Sequence, residues 1–221
     1  MNRLKGLIFK TQSYRESSRL LQTYTEFGKI TLMARGAERI NSNDRILSQY
    51  LTEIEFSYTT FKDFMTLKEA RLINDYKEIK SDFFKTKAAS LILEILDKTT
   101  LGSDNHAAIY QLAISSLNFS NLKISSYSFA LKILYYLGYG IDLKGDGRKI
   151  KGVNLELGRI IYEEENYPVF LNYYETIELL KITYSKIENL ETFSNEFIAK
   201  LKVFINKYYQ YHLNVNIKAL N

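Results

Sequence analysis

The residues that do covalent or metal chemistry are scarce in this chain of 221: it has no Cys and two His, His106 and His212. Without a thiol there is no thiolate nucleophile, no disulfide and no Cys-ligated metal. A Ser-His-Asp relay would have to use one of the two histidines, and neither lies in a supporting signature. His106 follows Asn105 at an expected helix start and His212 lies in Tyr211-His212-Leu213 at an expected helix end, so both are assigned to helix termini. The one acidic run, Glu163-Glu164-Glu165, is contiguous and cannot converge on an ion; it reads as an exposed turn. Gly145-Asp146-Gly147-Arg148 lacks the G-x-x-x-x-G-K-[ST] pattern of a phosphate loop. The expected chemistry is therefore binding, with no catalytic residue, no metal and no cofactor.

What the chain does have is positive charge in one place. The net charge is +5, and residues 1–47 account for it with nine Lys/Arg against four acids (Glu16, Glu26, Glu38 and Asp44). Total Lys is a weak guide, because abundant Lys, Asn, Ile and Tyr are also what an A+T-rich genome imposes. The Arg bias is sharper: six of the nine are Arg3, Arg15, Arg19, Arg35, Arg39 and Arg45, the side chain whose planar fork suits phosphate. An anionic partner is expected on this half. The candidate contacts are Lys10, Arg15, Arg19, Lys29, Arg35, Arg39, Arg45 and Lys68.

Those cations fall on a segment with the apolar period of strands. From residue 4 to about 71 the runs Leu4–Gln12, Arg19–Thr25, Lys29–Arg35, Tyr50–Thr59 and Phe64–Leu72 alternate and are broken by turn residues. In the third run Ile30, Leu32 and Ala34 share one face while Lys29, Thr31, Met33 and Arg35 share the other. Five short strands fit a small barrel of the OB-fold size, and an SH3-like barrel fits the count nearly as well. From Ser81 the period becomes helical: Phe84, Ala88, Leu91, Ile92, Ile95 and Leu96 make one stripe, ending near Gly102. Helices are expected over Asn105–Leu117 and over Lys123–Leu137, the latter stopped by Gly138, and over a last stretch capped by Ser194 and running to about Leu213. The expected architecture is α+β, a five-stranded N-terminal barrel over 1–80 followed by an all-helical domain over 81–221, with an irregular insertion at 142–170. That insertion carries Lys144, Arg148, Lys149 and Lys151, either a solvated loop or a second patch for the same anionic partner. No window approaches the roughly 18 apolar residues of a membrane span and residues 1–10 do not form a signal sequence, so a cytoplasmic protein is expected.

Several segments, in order, resemble the RecO family of bacterial recombination mediators. They are Tyr14-Arg15-Glu16-Ser17-Ser18-Arg19-Leu20-Leu21, Thr25-Glu26-Phe27-Gly28-Lys29-Ile30 and Ala34-Arg35-Gly36-Ala37-Glu38-Arg39, then Glu69-Ala70-Arg71-Leu72-Ile73, Leu137-Gly138-Tyr139-Gly140, Tyr211-His212-Leu213 and Lys218-Ala219-Leu220. The resemblance implies an N-terminal OB-fold, a helical C-terminal domain and no enzymatic activity. It implies single- and double-stranded DNA as ligands, annealing of complementary strands including those coated by single-strand-binding protein, and RecA loading together with RecR in a bacterial, nucleoid-associated protein. The chain departs from the family pattern in three places. Relatives resemble zinc proteins in the insertion after L-G-Y-G, where this chain has no Cys; Arg15 stands where Gly is usual; and Glu38 interrupts a basic cluster.

Annealing needs no nucleotide hydrolysis if the protein neutralises two strands whose phosphates otherwise repel, leaving sequence information to base pairing. The partner implied by the resemblance, the acidic tail of single-strand-binding protein, needs an apolar pocket beside a cation. Phe129, Lys132, Ile133 and Tyr136 are the candidates, Lys132 standing where relatives resemble one another in carrying Arg, although the three apolar residues also suit a core. Two other classes are a helical protein-interaction adaptor and an RNA-binding OB-fold factor without annealing activity.

Overall fold

The computed structural model describes residues 2–39, 41–42 and 44–220. The chain divides into two compact units, one of Met1–Thr86 with Thr100–Gln111 and one of Lys87–Thr99 with Leu112–Asn221.

The first unit is built on β1 (Asn2–Tyr14), β2 (Ser18–Thr25), β3 (Gly28–Ala34), the short helix α1 (Asp44–Leu47), β4 (Thr52–Tyr58), β5 (Phe64–Thr66), β6 (Arg71–Asn74) and the short helix α2 (Lys77–Lys80). The strands form one sheet in the order β5-β3-β2-β1-β4-β6. All pairs are antiparallel except β3 with β5. Where the sequence suggests five strands there are six, because the last apolar run is broken. Between β5 and β6, Glu69 takes φ 44°, in the left-handed region where an extended strand cannot continue. On the way through, Leu67 N donates to Met33 O at 3.0 Å and Ser57 N to Lys68 O at 3.1 Å. The run Phe64–Asn74 thus bonds first to β3 and then to β4, the two ends of the other four strands, and closes the sheet as an OB-type barrel. Leu4, Ile8, Leu21, Ile30, Leu32, Ile54 and Phe56 fill it, the inward-facing set expected from the period-two pattern.

Residues 100–111 cover part of the outer face. The Tyr24 hydroxyl and His106 Nδ1 are hydrogen-bonded at 2.9 Å, and Tyr110 donates to the buried Glu53 carboxylate at 2.8 Å. Gly28, at φ +105°, lies under this histidine: a Cβ there would stand 2.8 Å from His106 Nε2.

The second unit takes in most of α3 (Phe83–Thr99), the end of α4 (His106–Asn118), α5 (Leu122–Tyr136), β7 (Ile150–Asn154), β8 (Arg159–Tyr162), β9 (Leu171–Asn172), α6 (Tyr173–Tyr184), α7 (Asn195–Leu213) and two 3₁₀ turns, Ile187–Asn189 and Lys218–Leu220. The largely buried α5 packs on α6 and α7. Phe197 N donates to the Ser194 hydroxyl at 3.1 Å, the expected cap. Gly138, φ +82°, follows α5 as the expected stop. Among the described residues no helix is long and apolar enough to cross a membrane.

Three expectations are corrected. The stretch 142–170 is ordered and the C-terminal half is not all-helical: β7, β8 and β9 form an antiparallel sheet in the order β8-β7-β9. Its strands are too short to show alternation, and Gly152 fits because Leu171 O lies 2.1 Å from where a Cβ would stand. Helix α6 has no counterpart in the expected elements, although its capping box was legible: Asn172 accepts from Glu175 N at 3.0 Å and Glu175 accepts from Asn172 N at 2.8 Å. Phe84, placed on the buried stripe of α3, is 79% exposed beside the 76% exposed Phe83; the stripe begins only at Ala88 and Ala89, one turn in.

Candidate nucleic-acid interface

The arginines gather because two turns are tied together at one end of the barrel. Arg15 lies in the turn from β1 to β2, and Arg35 and Arg39 lie in the turn after β3, just before α1 with Arg45. Glu38 is the fastening: its N donates to Ser17 O at 3.0 Å, and its carboxylate accepts from Ser13 Oγ at 2.5 Å and Arg19 Nε at 3.3 Å. Those donors, Ser13 first and then Arg19, hold the Glu38 carboxyl below its ordinary value. Arg19 also donates to Ser48 O at 3.4 Å. It is half-buried and ties Glu38 to Ser48, a positioning role beside any contact with DNA. Arg15 has φ 55°, which explains why Gly is usual there. Its guanidinium lies 5.2 Å from the Tyr14 ring centroid. Arg15, Arg35, Arg39 and Arg45 are exposed, and among the described residues no carboxylate is ion-paired with them.

The remaining N-terminal candidates lie elsewhere. A register shift between Ile8 and Lys10 re-aims β1. It turns Lys10 outward onto a row with Gln22, Thr31 and Phe64. Lys68 is exposed at the bend between β5 and β6. Lys29 is opposite Tyr24, at the other end of β3 from Arg35. Beside it the His106 imidazole has its pKa lowered, most by burial and further by Lys29, with Asp104 opposing.

Around the far end of β5 lies a group that charge counting misses. Phe27 in the β2–β3 turn meets Phe61 edge-on with centroids 5.3 Å apart, and Phe61 meets Tyr58 at 6.1 Å. Ser57–Thr60, Lys62, Phe64–Thr66 and Lys68 enclose a cleft of about 260 Å³. Large aromatics in turn positions, where the strand pattern does not call for them, were the available signal.

In the second unit the candidate residues are mostly committed. Arg148 lies 3.7 Å over the Tyr162 ring, pairs with Asp146 at 2.6 Å and with Glu164 at 3.2 Å. Arg159 and Glu165 are paired at 2.8 Å. The arginine partners hold Asp146 and Glu165 down at about 2. Arg148 therefore braces the β7–β8 hairpin, its side chain still 47% exposed. Lys151 Nζ donates to Tyr167 O at 3.3 Å, while Lys144 and Lys149 are exposed. The zinc that the family resemblance implies would have no thiolate ligands here, since the chain has no Cys. The partner-tail pocket is corrected: Phe129 and Ile133 are fully buried. Lys132 Nζ donates to Thr183 O and Ser185 O, each at 2.7 Å, at the end of α6. Tyr136 alone of the four is more than a third exposed.

A closed OB-type barrel with arginines collected on one pair of turns, joined to a helical unit, defines an α+β protein of the OB-fold class. More narrowly, the chain belongs to the RecO family: the model described as "Recombination protein O N terminal" matches residues 1–76 and "Recombination protein O C terminal" matches residues 80–221. It is similar to the DNA repair protein RecO of Listeria monocytogenes serotype 4b, 32% identical over 143 residues, covering 62% of this chain and 56% of that protein. It is also similar to the DNA repair protein RecO of Bacillus cytotoxicus, 30% identical over 141 residues with 62% and 57% covered. The match to this chain spans little more than half the length of these curated relatives.

Proposed function

We propose that this chain is a recombination mediator of bacterial DNA repair that binds single- and double-stranded DNA and anneals complementary strands, including strands coated by single-strand-binding protein, without catalysis or a cofactor. The observation that carries this is the set of four exposed arginines, Arg15, Arg35 and Arg39 on turns that Glu38 and Arg19 fasten together and Arg45 on the short helix α1 that follows. A phosphate backbone laid against that end meets guanidinium groups that, among the described residues, are ion-paired with no carboxylate, and the counterions it sheds drive binding. Lys10 on the outer face and Lys68 at the bend extend the positive track, and Lys144 and Lys149 are the remaining candidates for a second patch. The division of labour follows the sequence: residues 1–80 engage DNA, and 81–221 serve partner contacts, with RecR and the acidic tail of single-strand-binding protein as the partners and RecA loading as the outcome in the nucleoid. The relatives' name, DNA repair protein, supports the same reading.

The test is annealing of two complementary labelled oligonucleotides, bare and coated with single-strand-binding protein, across a salt series without ATP. Acceleration that fades with salt is expected, with DNA preferred over RNA of equal length in competition. No acceleration together with no detectable DNA affinity overturns the reading in favour of an adaptor, and a preference for RNA overturns it in favour of an RNA-binding factor.

A further inference from the structure

We propose that the cleft between the end of β4 and β5 holds one unpaired nucleobase at a time, stacked on Phe64, with the adjoining phosphates on Lys62 and Lys68. The proposal rests on the DNA-binding reading above and concerns how the same unit tells single strands from duplex.

The cleft exists because the barrel closes imperfectly. β5 pairs with β3 and β6 pairs with β4, so Ser57 and Tyr58 at the end of β4 stand beside Phe64–Thr66 with a gap of about 260 Å³ between them. That is just below the range of roughly 300–1,000 Å³ of pockets for whole small-molecule ligands. It suits one planar ring and excludes a base pair. The walls match a nucleotide: Phe64, 51% exposed, and Tyr58 offer ring faces, and Thr59, Thr60 and Thr66 offer hydroxyls. Phe27 and Phe61, 54% and 37% exposed, extend the aromatic surface through their edge-on contact. Three exposed phenylalanines gathered from two neighbouring loops form the kind of apolar surface patch that often marks an interaction site. Stacking on an aromatic face tolerates any base, as an annealing protein requires.

The charge at the cleft agrees. Lys62 and Lys68 flank it and are both exposed. Of the two nearby acids, Glu69 accepts from the lining Ser57 Oγ at 2.9 Å, and the exposed Asp63 stands between Lys62 and Phe64 in sequence, so the two lysines and two acids balance and the lysines act by position. The loop is fixed in place by Thr31 N donating to Asp63 O at 2.7 Å. The outer row Lys10, Gln22, Thr31, Phe64 leads from mid-barrel to the cleft, so a strand anchored on the arginine turns has a half-exposed face to cross. Bound this way, one base is sequestered while its neighbours keep their pairing edges open.

The experiment uses the full chain, an oligothymidylate carrying one 2-aminopurine, and a duplex of equal length. For the parent, 2-aminopurine fluorescence is expected to quench on binding. Phe64→Ala should weaken single-strand binding about tenfold or more, a change of about 1.4 kcal/mol, relieve the quench, and leave duplex affinity within about twofold. Phe64→Tyr should retain the parent's behaviour, and Lys62→Gln should weaken binding without relieving the quench. Parent-like single-strand affinity in both Phe64→Ala and Lys62→Gln, or equal losses on single strand and duplex, overturns the cleft and leaves the DNA-binding reading standing. A parent that binds neither DNA overturns that reading, and the cleft with it.

Discussion

Neutralising Arg35 and Arg39 together tests the arginine end most directly, because both are exposed and make no ion pair with a described carboxylate. Four such arginines, three on one pair of turns and Arg45 on the α1 helix after them, give up to four phosphate contacts. On single-stranded DNA each contact contributes about −0.7 to the slope of log affinity against log salt, so the set contributes about −2.8. From 50 to 200 mM salt that term alone weakens binding about 50-fold, whereas the two contacts left in Arg35→Gln/Arg39→Gln weaken it only about sevenfold. Contacts from Lys10, Lys62 or Lys68 add equally to parent and variant, leaving the difference in slope, about 1.4, as the quantity to measure. Fluorescence anisotropy of a labelled oligonucleotide across that salt range gives both slopes. Because substitutions at such exposed sites change stability by within about 0.5 kcal/mol, thermal denaturation of the variant should overlay the parent. A slope unchanged within error, in a variant as stable as the parent, refutes the placement of DNA at this end of the barrel.

Other outcomes follow from single features. Arg15→Gly removes a left-handed non-glycine residue, so stability in urea should rise by about 1 kcal/mol while the salt slope flattens by about 0.7. Glu38→Gln frees Arg19 and removes one of the acids among the arginines; single-strand affinity should rise several-fold and the thermal midpoint should fall as the two turns come apart. Phe129→Ala should destabilise by about 3–5 kcal/mol in urea unfolding, the range for a fully buried ring, without selective loss of partner-peptide affinity. The folded-state pKa values of Asp146 and Glu165 lie near 2, below their unfolded values, so the β7–β8 clamp stabilises above the unfolded carboxylate range and is lost as pH falls from about 4 toward 2. Limited pepsin digestion across that interval should cut near residues 146–165 progressively, and equal resistance at both ends would count against the clamp.

The barrel was legible because its inward residues repeat every second position and its turns carry their own chemistry, as Gly28 does at φ +105°. The family was legible because short segments recur in order along the whole chain. Less legible was anything decided by partners distant in sequence. The charges of Arg19 and Arg148 look as available as that of Arg35, yet Arg19 is engaged by Glu38 and Ser48, and Arg148 by Asp146, Glu164 and the Tyr162 ring. The spacing of Phe129, Ile133 and Tyr136 is that of a pocket wall and equally that of a core, and burial chose the core for the first two. The broken closing strand was hidden because nothing in Lys68-Glu69-Ala70 marks a residue that will adopt a positive φ.

That break has a mechanical consequence. A barrel closed by one continuous strand opens all at once or not at all, but here the three-residue β5 can leave β3 while β6 stays zipped to β4. The seam is where the molecule can breathe, and each opening bares the edge of β3 as a template on which a foreign strand could grow. Lys62 and Lys68 bracket that short strand, and edge lysines are among the means by which sheet proteins repel such additions. The same two charges thus guard the barrel's weakest join against aggregation when no DNA occupies it.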